Sequence, residues 1–319
     1  MKKPNNLNGK DIVALSSMSN GIVKESKKEK LNNSIKRLQN NFIVKADNYI
    51  FCSIKGESCN AKLRAVNLMN FFTDKNVRAI IAITGGDFLI ETLDYLDFEK
   101  IKNNIKWVQG QSDITILLFI LTTKYDIQTI YSFNANSLND ISFIEYNNNI
   151  LILKGKRIIQ NAFDYKVLEE GNKDDSWLFN RNINLTGRII GGSLECIMDL
   201  VGTKYDNTLN FIEKYKKDKI IWYFDINYMT NETILRNLWH LNNMGWFKYT
   251  NCIIFGRTEE QSFTGITLKE AIERGINNEQ INIVTNFDLG HTYPRVTIIN
   301  GSIIKLVCNK DERMIEVLE

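Results

Sequence analysis

Histidine is nearly absent from this chain: His240 and His291 are the only two in 319 residues. Any chemistry that needs an imidazole therefore has two candidates. Cysteine is also sparse. The five residues, Cys52, Cys59, Cys196, Cys252 and Cys308, form no CxxC spacing and are odd in number. That pattern argues against a thiolate metal site and a disulfide framework, so idle thiols in a reducing cytoplasm are expected, with no metal and no cofactor. Long apolar runs are missing too. The longest, residues 114–121, falls far short of the roughly 20 residues that cross a bilayer. Met1-Lys2-Lys3 runs into polar Pro4-Asn5-Asn6, which is no secretory signal. Nor does one sign of charge dominate: 40 Lys and Arg face 37 Asp and Glu, a net charge of +3. The densest run, residues 24–30, is mixed in sign. No basic footprint for nucleic acid is present, and the expected compartment is the cytoplasm, without membrane attachment.

What is present reads as α/β. Residues 11–15 and 77–83 are apolar runs that suit buried strands. The first ends in the serine-rich loop Ser16-Ser17-Met18-Ser19-Asn20-Gly21, the second in Thr84-Gly85-Gly86-Asp87. Helical spacing of apolar residues follows over 60–73 and again from Leu89. This alternation predicts an N-terminal domain built on an open, mostly parallel sheet. Residues 150–153 and 156–159 read as short antiparallel strands, and residues 169–175 as a charged loop. The expected division is an N-terminal domain over 1–165, a linker or active-site loop over 166–186, and a C-terminal α/β domain over 187–319. Strands at 220–224, 252–255 and 281–285 belong to the latter. So does a closing hairpin, 297–299 with 303–307, on the turn Asn300-Gly301.

Three residues stand out chemically. Ser112 lies in Gly110-Gln111-Ser112-Asp113, between a strand-like run at 105–109 and the apolar run at 114–121. Strand, tight turn, serine, helix is the layout of a nucleophile elbow, with the Asp113 N–H placed to face an oxyanion. The second glycine of that motif is missing, since Ile114 stands there, and a serine N-cap fits the local pattern as well. Asp225 follows the strand at 220–224, where open α/β sheets place catalytic groups; on position alone a turn or cap role fits better. His291 sits in the glycine-flanked loop Asp288-Leu289-Gly290-His291-Thr292, whereas His240 falls off the apolar stripe of Ile234, Leu238 and Leu241 and is expected at the surface. Gly85 and Gly86 allow close approach of a ligand, an oxyanion or a packed helix. Trp177, after the acidic loop, suits ligand stacking or a lid. Serine, carboxylate and histidine together are the set that nucleophilic acyl transfer needs.

Several of these stretches, in order, resemble the LD-carboxypeptidases, a family that includes the microcin C immunity peptidases. The stretches are the serine-rich loop, Thr84-Gly85-Gly86-Asp87, Leu93-Asp94-Tyr95-Leu96-Asp97, Gly110-Gln111-Ser112-Asp113-Ile114-Thr115, Gly187-Arg188-Ile189-Ile190-Gly191-Gly192-Ser193-Leu194, Gly202-Thr203-Lys204-Tyr205-Asp206, and Asp288-Leu289-Gly290-His291-Thr292 with Pro294. The resemblance implies Ser112 as nucleophile, His291 as base and Asp225 as acid, an aspartate where the family has glutamate. It implies backbone N–H groups of Asp113, Gly85 and Gly86 as the oxyanion hole, and Trp177, Gly192 and Ser193 at the substrate. The active site would be assembled at a seam between domains, and the chain would be a homodimer. The implied activity is release of terminal D-alanine from murein tetrapeptides. A peptidyl- or aminoacyl-nucleotide antibiotic is the alternative substrate, and a catalytically inactive muropeptide-binding protein the alternative of another class.

Overall fold

The computed structural model describes residues 1–163, 176–259 and 261–319. The charged loop expected at 169–175 and the first ten residues of the expected 166–186 linker lie outside the described residues. In chain order the strands are β1 (Ile12–Ser16), β2 (Ile43–Ala46), β3 (Val77–Ala82), β4 (Trp107–Gly110), β5 (Thr129–Tyr131), β6 (Ile159–Asn161) and β7 (Leu178–Phe179). They continue as β8 (Ile183–Ser193), β9 (Ile220–Asp225), β10 (Thr250–Gly256), β11 (Asn282–Phe287), β12 (Ile298–Asn300), β13 (Ile303–Cys308) and β14 (Arg313–Val317). Two compact units divide them: residues 1–158 with 296–301, and residues 159–295 with 302–319.

In the first unit the sheet runs β12-β5-β4-β3-β1-β2. Strands β1 to β5 pair parallel, as the alternating pattern predicts, and β12 closes the edge antiparallel to β5. Val77 and residues 79–82 of β3 are buried, as a strand covered on both faces requires. Helix Thr115–Thr123 is buried at all nine positions, so its apolar residues carry no amphipathic stripe. Helix Phe143–Leu153 begins with a capping box at Ser142 and Glu145. Residues 150–153, read from sequence as a strand, are its last turn. A four-residue apolar run does not distinguish the two forms, and the cap eight residues upstream decides for helix.

The second unit carries the sheet β6-β14-β13-β8-β9-β10-β11-β7. Its centre, β8 to β11, is parallel, and the flanking strands are antiparallel. Trp222 of β9 stacks on Trp246 at 5.4 Å and on Phe224 at 5.9 Å, which fills the layer beneath the helices with aromatic area. Helix Asn231–Asn243 buries Ile234, Leu238 and Leu241 as expected.

The closing hairpin is not formed. β12 pairs with β5 in the first unit, while β13 pairs with β8 and β14 in the second. The turn Asn300-Gly301 therefore redirects the chain from one unit to the other. Turn chemistry reports a reversal of local direction; it does not say which strand becomes the partner.

Candidate active site

Ser112 begins a short 3-10 turn, Ser112–Ile114, directly after β4 and before helix Thr115–Thr123. Its φ is +60°, a left-handed conformation that a non-glycine residue adopts under constraint. That is the backbone signature of the elbow, and an ordinary N-cap has extended φ and ψ instead. Neighbouring groups hold the turn. The Gln111 N–H donates to Asn134 Oδ1 at 3.1 Å and the Ser112 N–H to the Tyr131 hydroxyl at 3.3 Å. The Ile114 N–H donates to the Gln111 carbonyl at 3.3 Å, and the Ser132 N–H to the Gly110 carbonyl at 3.1 Å.

The missing second glycine has a structural counterpart. A Cβ on Gly110 would lie 2.7 Å from Ile114 Cγ2, so the Ile114 side chain fills the space that a side chain at 110 would need. Only one of the two positions has to be glycine, and here it is Gly110.

The Gly85-Gly86 turn faces this serine. A Cβ on Gly85 would sit 3.0 Å from Ser112 Cβ. The serine-rich loop supports the turn from behind: the Asn20 N–H donates to the Gly85 carbonyl at 3.4 Å, and Ser19 Oγ accepts the Phe88 N–H at 3.0 Å. Asp113 turns its carboxylate inward, where it accepts the Leu89 N–H at 3.0 Å. Burial pushes that carboxyl above its usual range, against the lowering effect of hydrogen bonds from Ser19 and Leu89. The side chain of Asp113 is thus a brace between the two turns that carry the candidate oxyanion donors.

In the second unit, Asp225 ends β9 and is fully buried. His291 Nδ1 lies 3.1 Å from each of its carboxylate oxygens. The approach depends on Gly290, whose φ is +101° and where a Cβ would collide with Asp225 Oδ1. Burial lowers the His291 pKa, and the hydrogen bond and charge of Asp225 more than reverse this. Arg295 opposes the rise and Glu195 adds to it, so the ring is held above the ordinary histidine value. An aspartate carboxylate on Nδ1 leaves Nε2 as the basic nitrogen. His240 is exposed on helix Asn231–Asn243 and takes no part in this pair.

Ser193 ends β8 in register with Asp225 on β9, and Gly192 with Phe224. Both are buried. Trp177 is fully buried, with a φ of +45°. Its ring stacks on Phe287 at 3.9 Å and its Nε1 donates to Asp288 Oδ2 at 2.8 Å. The indole face expected to meet a ligand is thus covered by protein in this structure. Among the described residues no group of three His, Cys, Asp or Glu is arranged to hold a metal ion.

Sequence reasoning missed three residues here. Tyr131 reaches Ser112 from 19 positions downstream, at the end of the neighbouring strand, a distance that only the β4–β5 pairing makes short. Asp288 binds Trp177, the Phe163 N–H and Arg257, and anchors the loop that carries His291. Glu195 accepts hydrogen bonds from Ser193 and from the Asn227 backbone. Only Asp288 left a signal, as a member of the histidine motif.

An elbow serine and a carboxylate-held histidine are the group types that serine peptidases use. The profile of the LD-carboxypeptidase N-terminal domain matches residues 13–132, and that of the LD-carboxypeptidase C-terminal domain matches residues 186–306. The chain belongs to the LD-carboxypeptidase family. It is 26% identical over 249 residues to a protein of Vibrio cholerae named as a carboxypeptidase, covering 72% of each chain. It is 27% identical over 290 residues to the microcin C7 self-immunity protein MccF of Escherichia coli, covering 81% of this chain and 78% of that one. The fold matches that of MccF solved in complex with aspartyl sulfamoyl adenosine, with TM-score 0.81, 21% identity, and 99% and 98% of the two chains covered. It also matches a muramoyltetrapeptide carboxypeptidase from Oxalobacter formigenes, with TM-score 0.77, 19% identity, and 97% and 99% covered.

Proposed function

We propose that this chain is a serine carboxypeptidase that cuts an amide bond next to a free carboxylate end, releasing terminal D-alanine from murein tetrapeptides. One observation carries the reading. A serine held at positive φ in a strand–helix turn occurs in a chain where one of only two histidines is clamped on a buried aspartate. In the reaction, His291 Nε2 takes the Ser112 hydroxyl proton as Oγ attacks the carbonyl carbon. The N–H groups of Asp113 and the Gly85-Gly86 turn receive the oxyanion. The imidazolium then passes its proton to the departing amine of D-alanine, and water hydrolyses the acyl-serine by the same route reversed. Asp225 fixes the tautomer and stabilises the imidazolium. Ser193 and Gly192 are assigned to the substrate side, and Trp177 to shaping the histidine loop through Asp288. A homodimer is part of the proposal.

A second reading keeps the chemistry and changes the substrate to an aminoacyl- or peptidyl-nucleotide. Its support is the aspartyl sulfamoyl adenosine held by MccF in the complex of matching fold. Trp177 tells against it, since a buried indole stacked on Phe287 offers no face to a nucleobase. A binding-only protein is disfavoured by the clamped Asp225–His291 pair. The test offers a murein tetrapeptide and an aminoacyl-sulfamoyl nucleoside side by side and identifies products by mass spectrometry. Free D-alanine from the first supports the proposal. Cleavage of the second alone selects the rival, and binding without products selects the inactive protein.

A further inference from the structure

Two carboxylates meet near the end of β9, and only Asp225 is used by the reaction proposed above. Glu195, at the start of helix Leu194–Leu200, is the other. Its Oε1 accepts the Asn227 N–H at 2.7 Å, two residues beyond Asp225. Its Oε2 accepts the Ser193 hydroxyl at 2.7 Å, and Ser193 is the register partner of Asp225 across β8 and β9. One side chain thereby ties the end of β8 to the segment just past Asp225 at the end of β9.

We propose that Glu195 is a second acidic positioning residue for His291, acting through its hydrogen bonds to Ser193 and Asn227 and through its own negative charge. The inference rests on His291 being the base. Four influences act on the ring: burial, Asp225, Arg295 and Glu195. Glu195 itself is pushed up by burial foremost, held down by its hydrogen bonds, and raised again by the charge of Asp225. The two anions therefore repel each other and share the imidazolium as their common counter-ion. A second negative charge, held by Ser193 and Asn227 beside Asp225, stabilises the protonated ring during acyl transfer without taking up Nδ1.

The variant Glu195→Gln keeps an acceptor for the Asn227 N–H and removes the charge. The ring proton signals of a two-histidine chain can be followed individually by NMR, with exposed His240 as internal reference. Expected is a fall in the His291 pKa of about half a unit, no change at His240, and an acid limb of kcat/KM displaced equally to lower pH. Glu195→Asp, which keeps the charge on a shorter arm, should show a smaller fall. It also serves as the deciding variant should Glu195→Gln not fold. An unchanged His291 pKa in folded Glu195→Gln, or in Glu195→Asp where only that variant folds, or equal falls in both, overturns the proposal. The titration needs no turnover, so a wrong substrate assignment leaves it interpretable.

Discussion

Ser112 and His291 are unequal in how much of their chemistry a residue-level reading supplies. Ser112 carries its own evidence in its φ of +60°, because a left-handed serine persists only where surrounding bonds enforce it. His291 carries its evidence in a partner 66 residues away in sequence, at 3.1 Å. The raised pKa of His291 gives a signed prediction. As base, the ring must be neutral, so kcat/KM should rise with pH through a midpoint above the usual histidine value of about 6.5. Stability runs the other way. The Asp225–His291⁺ pairing contributes fully below the unfolded-state pKa and is lost as pH rises through the folded one. Activity and thermal melting followed across that window should therefore move in opposite directions. A midpoint below the ordinary value would contradict the geometry.

At the scale of elements, the candidate residues sit at strand ends and on the turns just past them. β4 delivers Ser112, β9 delivers Asp225, and the loop after β11 brings His291 back over β9. Gly290 is the tightest point of that return. Gly290→Ala should cost about 1–3 kcal/mol of stability, because alanine is strained at φ +101° and its methyl meets the Asp225 carboxylate. A variant that melts like the parent and retains full kcat would show that the loop has slack. Much of this layer is legible in the sequence. The buried runs at β1, β3, β9 and β10 and the glycine turn after β3 follow from unbroken apolar stretches and punctuation. The helix at 143–153 is legible only from its capping box, Ser142 with Glu145, because its short apolar run at 150–153 reads equally as a strand. The partner of β12 is not legible, because register and pairing over more than 160 residues leave no local trace. The roles of Ser112 and Asp225 stay open on local pattern and are narrowed by resemblance. Glu195 and Tyr131 leave no pattern, since their meaning comes from strand pairing.

At the scale of the whole molecule, the chain forms two units, and neither is one continuous stretch of sequence. Residues 296–301 complete the first sheet from the far end of the chain. Thr297 Oγ1 lies 2.8 Å from Ser132 Oγ and 3.4 Å from Asn149 Nδ2, and β12 covers the edge of β5. A fragment of residues 1–158 should therefore expose that edge and self-associate. The same fragment with residues 296–301 linked to its end should elute as a monomer in size-exclusion chromatography. Equal behaviour of the two would show that β12 is dispensable. No helix among the described residues is long and apolar enough to cross a membrane. The central claim is that Ser112 and His291 carry out the reaction, although they belong to different units. Release of D-alanine from a murein tetrapeptide, compared among wild type, Ser112→Ala, His291→Ala and His240→Ala, tests it most directly. The account predicts a loss of about 10³-fold or more in kcat for the first two variants and wild-type turnover for His240→Ala. Turnover at the wild-type rate by Ser112→Ala or His291→Ala would contradict it.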